Sequence, residues 1–126
     1  MNNIFVGVIR TYYDKEETKL RQEYFVNAGK KEGEYLEYHE NGNIKKISTY
    51  IDDKNYGINR EYHKNGNLIR TYLMINDRVT GKMILYYPNN KIYRECNYID
   101  NKLNNKYIEY DINGDIYKIT YYVDDE

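Results

Sequence analysis

Gly33, Gly57 and Gly81 stand 24 residues apart, and the same step carries Tyr38 to Tyr62, Tyr86 and Tyr110. It also links Asn41 with Asn65, Asn89 and Asn113, Gly42 with Gly66, Asn90 and Gly114, and Ile44 with Leu68, Ile92 and Ile116. A further column runs Val26, Tyr50, Met74, Tyr98, Tyr122 and extends the pattern back into an irregular copy that begins at Gly7. A fixed period of this size means that one small supersecondary unit is stacked on copies of itself, because no single unit can bury its own apolar face. The 126 residues are therefore read as one repeat domain, with units at 7–32, 33–56, 57–80, 81–104 and 105–126.

Each unit holds a short alternating segment ending in Tyr, a turn such as Glu40-Asn41-Gly42-Asn43, and a longer alternating segment. Asn-Gly between β-branched and aromatic runs is the strongest short-range hairpin signal. The reading is all-β: about ten strands, among them Ile4–Tyr13, Lys19–Val26, Glu34–His39 and Ile44–Ile51, in one elongated antiparallel sheet of stacked hairpins. At a strand spacing of about 4.8 Å such a sheet is roughly 48 Å long. No segment sustains a period of 3.6, and Ala28 is the only alanine, so helix is not expected. Two hairpin registers compete. One sets Tyr38 opposite Ile44 and gathers the Tyr38, Ile44 and Tyr50 columns on one face, while the other sets Glu37 against Lys46, Glu61 against Arg70 and Glu109 against Lys118. The first is favoured, because burying an aromatic column outweighs exposed ion pairs, although it brings Arg60 opposite Arg70.

Nineteen basic and twenty acidic residues give a net charge of −1, which is not the electrostatic footprint of a nucleic-acid or anionic-membrane binder. The start, Met1-Asn2-Asn3-Ile4-Phe5-Val6, lacks a basic leader region, and no apolar run approaches the roughly 18–20 residues that span a bilayer. Cys96 is the single cysteine and has no partner for a disulfide. These features together point to a soluble chain in the reducing cytoplasm.

Candidate chemistry is sparse. His39 and His63 occupy equivalent places in successive units, but equivalent residues of neighbouring hairpins lie two strands, about 10 Å, apart, too far to share one zinc ion. Cys96 has no His or Asp recurring near it, and its column holds Ser48, Tyr72 and Thr120. The turns Asp52-Asp53, Asn76-Asp77, Asp100-Asn101 and Asp124-Asp125 supply too few carboxylates for a calcium loop and suit tight turns. No catalytic residue, cofactor site or metal site is assigned, and an enzyme is not expected. The 18 tyrosines remain. Their columns either pack the sheet or line an open face for a partner. The partner-binding candidates are Tyr50, Tyr98 and Tyr122.

A protein partner is expected, or a second copy meeting the chain at a sheet edge or face. Of the two edges, the first strand, Ile4–Ile9, carries no charge, whereas Val123-Asp124-Asp125-Glu126 closes the last one with acids, so edge association is expected at the first strand.

The segments Tyr62-His63-Lys64-Asn65-Gly66-Asn67-Leu68 and Tyr86-Tyr87-Pro88-Asn89-Asn90-Lys91-Ile92 resemble MORN (membrane occupation and recognition nexus) repeats, and in particular their bacterial-type variant. The resemblance covers nearly the whole chain from Gly7 onward. It implies a twisted sheet of stacked hairpins and a role in protein binding or scaffolding without catalytic residues. It also implies two alternatives, an antitoxin-like neutraliser of a toxin or host effector and a membrane-surface adaptor.

Overall fold

Alternating side chains and Asn-rich turns along the whole chain produce strands and tight turns throughout, and the computed structural model, which describes residues 5–123, contains no helix among them. The strands are β1 (Val6–Tyr12), β2 (Leu20–Asn27), β3 (Lys30–Tyr38), β4 (Ile44–Ile51), β5 (Lys54–Asn55), β6 (Gly57–Tyr62), β7 (Leu68–Ile75), β8 (Arg78–Tyr86), β9 (Ile92–Ile99), β10 (Lys102–Tyr110) and β11 (Ile116–Tyr122). Consecutive strands pair antiparallel, β4 with both β5 and β6, giving one open sheet. β5 and β6 are one strand interrupted at Tyr56, so the ten expected strands appear as eleven segments. Ile4 and the acids Asp124, Asp125 and Glu126 lie outside the described residues.

Two kinds of turn alternate along the sheet. At the Asn-Gly end, the His39 amide donates to the Asn43 carbonyl at 2.8 Å, and Gly42, at φ 92°, donates back to His39 at 2.9 Å. At the opposite end are two-residue turns with both residues at positive φ: Ala28 and Gly29, Asp52 and Asp53, Asn76 and Asp77, Asp100 and Asn101. Such a turn matches the twist of the flanking strands and tolerates Asn, Asp and Gly better than other residues.

The register corrects the sequence reading in two ways. First, Tyr38 does face Ile44, but Glu37 faces Lys46, and the same pair of pairings recurs as Tyr62–Leu68 with Glu61–Arg70 and as Tyr110–Ile116 with Glu109–Lys118. The extra residue, Lys45 in the first case, is absorbed as a bulge just inside the turn, so the two registers that appear to compete coexist in one hairpin. Arg60 is thereby set opposite Thr71 instead of Arg70. Because the bulge flips the alternation, Tyr50 lies on the opposite face from Tyr38 and Ile44, not beside them. Second, the glycine column does not open each unit. β3 starts at Lys30 instead of Glu34, and Gly33 lies inside it, where pairing jumps from Val26–Lys31 to Tyr24–Tyr35. Gly33, Gly57, Gly81 and Asn105 hold φ of 88°, 133°, 87° and 65°, the left-handed conformation that this second bulge requires and that Gly and Asn adopt at least cost.

Among the described residues, one face carries every buried one: Val26, Tyr35, Ser48, Asn55, Asn59, Tyr72, Met83 and Cys96. Large side chains roof small ones. The row across the sheet reads Tyr24, Tyr35, Ser48, then Asn59, Tyr72, Met83, Cys96, Tyr107, Thr120, so Ser48 and Asn59 are sealed beneath flanking tyrosines. The apolar centre is Tyr72, Met83 and Cys96, with Met74, Val79, Leu85, Tyr98, Leu103 and Tyr107 against it. The other face leaves Val8, Phe25, Ile58, Ile119 and Tyr121 exposed. The accessible surface of 8573 Å² exceeds the roughly 7,100 Å² of a compact chain of this mass, as a single layer must.

Candidate functional site

The Tyr50, Tyr98 and Tyr122 column lies on the face that carries the buried row, one residue pair towards the tight-turn end from it. Its members differ in setting. Tyr50 is half-buried, its ring 5.5 Å from that of Tyr35, and the Lys31 ammonium sits 5.2, 5.1 and 5.0 Å from the rings of Tyr24, Tyr35 and Tyr50. Lys31 thus occupies an aromatic cage made by three strands, a cation–π arrangement that holds β2, β3 and β4 together. Tyr98 packs on the apolar centre. Tyr122 is 40% exposed, its ring 6.1 Å from Tyr107. The three are brought to one face, with Met74 between Tyr50 and Tyr98, but only Tyr122 is open to solvent.

Burial pushes the Tyr50 and Tyr98 hydroxyls above their ordinary value, and nearby Asp77 and Glu37 add to the effect at Tyr50. Tyr35 and Tyr72 are raised further, chiefly by burial and then by hydrogen bonds donated to Glu37 at 2.7 Å and Glu61 at 2.6 Å. Burial acts to raise Glu61, but the hydrogen bonds from Tyr72 and Arg70 outweigh it, and its carboxyl is held below the ordinary range. Cys96 is buried with its thiol pushed up by desolvation, so it is protonated near neutrality.

The histidines belong to a ladder of contacts between units. The His39 ring donates from Nε2 to the Tyr62 carbonyl at 2.9 Å, while Tyr13 and Tyr87 hydroxyls donate to the Tyr38 and Tyr110 carbonyls at 2.6 and 2.7 Å from equivalent places. Among the described residues, no group of three His, Cys, Asp or Glu side chains is placed to hold a metal ion. The acidic turns form a second ladder at the other sheet margin. Asp53, Asp77 and Asn101 amides donate to the Lys31, Asn55 and Val79 carbonyls at 2.9, 3.0 and 2.9 Å. Their side-chain oxygens accept from the amides of the same three residues at 3.2, 2.7 and 2.8 Å. Those oxygens are spent on joining one unit to the next.

A cleft of about 610 Å³ opens between the second and third hairpins and is lined by Glu37, His39, Lys46, Glu61, His63 and Arg70 among others. Its charges are mixed but lean positive, with Lys45, Lys46, Lys64 and Arg70 against Glu37 and Glu61, and Arg70 is engaged by Glu61 at 3.1 Å.

Two features escape sequence reasoning. The Lys31 cage is invisible because the lysine shares its column with Asn55, Val79 and Leu103, none of which is cationic. The buried network of Ser48, Asn55 and Asn59, with hydrogen bonds of 2.6 and 2.9 Å, consists of polar residues that hydropathy assigns to the surface.

The chain finds no match among curated proteins. The family described as MORN repeat variant matches residues 31–52, 55–76 and 79–100. Each matched segment is one hairpin with its Asn-turn, namely β3–β4, β5–β7 and β8–β9, and repeats of this kind are consistent with a module for protein or membrane interaction. With more than half of its length matched, and with β1–β2 and β10–β11 built on the same plan, the chain belongs to the MORN repeat variant family.

Proposed function

We propose that this chain is a non-enzymatic interaction module that binds a protein partner along its aromatic face in an intracellular compartment. One observation carries the reading: the described sheet is a single layer, and the Tyr50, Tyr98 and Tyr122 column gathers on one of its faces with no second layer over it. Tyrosine suits such a strip, being large, rigid and amphipathic, and a desolvated tyrosine at an interface centre contributes roughly 2 kcal/mol or more. The net charge of −1 and the offsetting ion pairs Arg10–Glu23, Arg70–Glu61 and Lys82–Glu95 leave little long-range field. Affinity then comes from local contact rather than steering. The turn Tyr86-Tyr87-Pro88-Asn89-Asn90-Lys91-Ile92 supports placement in the bacterial-type subgroup. No side chain on the sheet favours an antitoxin-like neutraliser over general protein binding.

The test is capture of partners on the immobilised chain with identification by mass spectrometry, followed by affinity measurement on the purified pair. Tyr98→Ala, in the middle of the strip, is expected to weaken binding more than Tyr122→Ala at its end, with parental circular dichroism in both. Raising salt from low to moderate concentration is expected to change affinity little. Steep salt dependence combined with parental binding by folded Tyr98→Ala overturns the strip. Retention on lipid vesicles in place of any protein identifies a membrane adaptor instead.

A further inference from the structure

The two outer strands are built like inner ones. β1 carries the signature of a strand that follows a tight turn, Gly7 to Tyr12, matching Gly33 to Tyr38, Gly57 to Tyr62 and Gly81 to Tyr86. Phe5 stands where Val79 and Leu103 stand. β11 carries the signature of a strand that leads into such a turn: Ile116 matches Ile92, Lys118 matches Arg94, Tyr122 matches Tyr98 and Val123 matches Ile99. Inside the chain these two kinds of strand join at every unit boundary, with Cys96 opposite Tyr107, Glu95 opposite Ile108 and Tyr98 opposite Leu103. Among the described residues, β1 and β11 each have a neighbour on one side only.

Two observations show what each edge lacks. In the glycine column, Gly33, Gly57, Gly81 and Asn105 all have positive φ, whereas Gly7 does not. That bulge forms on a strand against the strand before it, and β1 has none. The Phe5 ring lies over Gly7 instead, near enough that a Cβ there would be 3.1 Å from it. On β11, Thr120 is only half-buried where Ser48, Tyr72 and Cys96 are 0%, 8% and 2% exposed, and Ile119, Tyr121 and Tyr122 face solvent.

We propose that copies of this chain associate head to tail, β1 of one pairing antiparallel with β11 of the next in the register used at the internal unit boundaries. Thr120 then faces Ile9, Ile119 faces Arg10, Lys118 faces Thr11 and Tyr122 faces Phe5, with Gly7 in the bulge. No two like charges oppose each other. The contact continues an interface the chain already makes between its own units, and only β1 offers a glycine at the place where that interface bulges, which selects β1 over a second β11 as the occupant. A single strand edge is a small interface, below about 1,200 Å², so association rises with concentration rather than being complete when dilute. The contact is heterologous and does not close, so it adds copies without limit. It uses the strand edges, shares only Tyr122 with the aromatic strip, and is carried by different observations from the protein-partner reading.

Sedimentation of the full 126-residue chain at rising concentration is expected to show mass increasing past the dimer, and Thr120→Lys, which sets a charge on the free edge, is expected to weaken association about tenfold or more. A fixed register is read by mixing Arg10→Cys with Ile119→Cys under mild oxidation; both positions are exposed, and the buried Cys96 does not compete. A covalent dimer containing one copy of each variant supports the pairing. A monomer at every concentration, a plateau at the dimer, or disulfide dimers formed equally well by either variant alone overturns it.

Discussion

Tyr72→Ala is expected to lower stability by about 3–5 kcal/mol, the cost of emptying a large buried aromatic site. Tyr72 stands in the middle of the apolar centre with Met83 and Cys96, its ring lies 5.2 Å from the Arg70 guanidinium, and its hydroxyl donates to Glu61. Its removal takes away a ring that roofs Asn59 and strips Glu61 of one of its two donors at once. A thin core has few other large residues to close over the gap, and a loss of this size is a substantial part of the 5–15 kcal/mol typical of a domain. Thermal unfolding followed by circular dichroism should show the midpoint falling by roughly 10–20 °C. Tyr72→Phe keeps the ring and loses only the hydrogen bond to a charged acceptor, so it should cost about 1.5–3 kcal/mol. A Tyr72→Ala midpoint equal to that of Tyr72→Phe would show that the ring itself contributes nothing and would refute this account of the core.

The second large effect is unfolding by alkali. Tyr35 and Tyr72 have hydroxyls raised above the ordinary value of 10.0, first by burial and then by donation to Glu37 and Glu61. A raised value means the folded state holds the proton more tightly than the unfolded state does. The stabilisation is therefore complete below about pH 10, where tyrosine ionises in the unfolded chain, and is lost as pH climbs beyond it. Each residue should remove about 1.4 kcal/mol per pH unit above that point. Tyrosinate absorbance is expected to lag through pH 10 and then rise together with loss of the strand signal. The double variant Tyr35→Phe, Tyr72→Phe, though less stable at neutral pH, should show a flatter dependence between pH 10 and 11. Smooth, non-cooperative titration of all 18 tyrosines with the sheet intact would contradict this.

The period and the turns make most of this fold legible in the amino-acid sequence. Gly42 and Gly66 mark hairpins, and Asp52-Asp53 and Asn76-Asp77 mark tight turns, because each of these residue types is needed for a local backbone conformation that few others adopt. The register was only half legible. Tyr38 opposite Ile44 and Glu37 opposite Lys46 differ by one residue, and pattern reasoning treats them as exclusive, whereas a bulge at Lys45 satisfies both. The glycine column was visible but its purpose was not. Alignment shows that Gly33, Gly57 and Gly81 recur, and only the strand pairing shows that they sit within strands, at a change of register. Tyr50, Tyr98 and Tyr122 share a face, as their common column implies, yet their exposure is not legible in the sequence, since the covering of Tyr50 by Lys31 joins residues from three strands.

The ladder at the tight-turn margin, in which Asp53 meets Lys31, Asp77 meets Asn55 and Asn101 meets Val79, has a bearing on how such a chain lengthens or shortens over generations. Each rung joins a residue to one about 22 positions away, and none reaches past the adjoining unit. Duplicating or deleting one whole 24-residue stretch of the gene product would remake the same rungs at the new junction and disturb nothing beyond it. An insertion of one residue within a strand would instead break a rung on each side of itself. Length in this molecule is therefore inherited in steps of a whole unit.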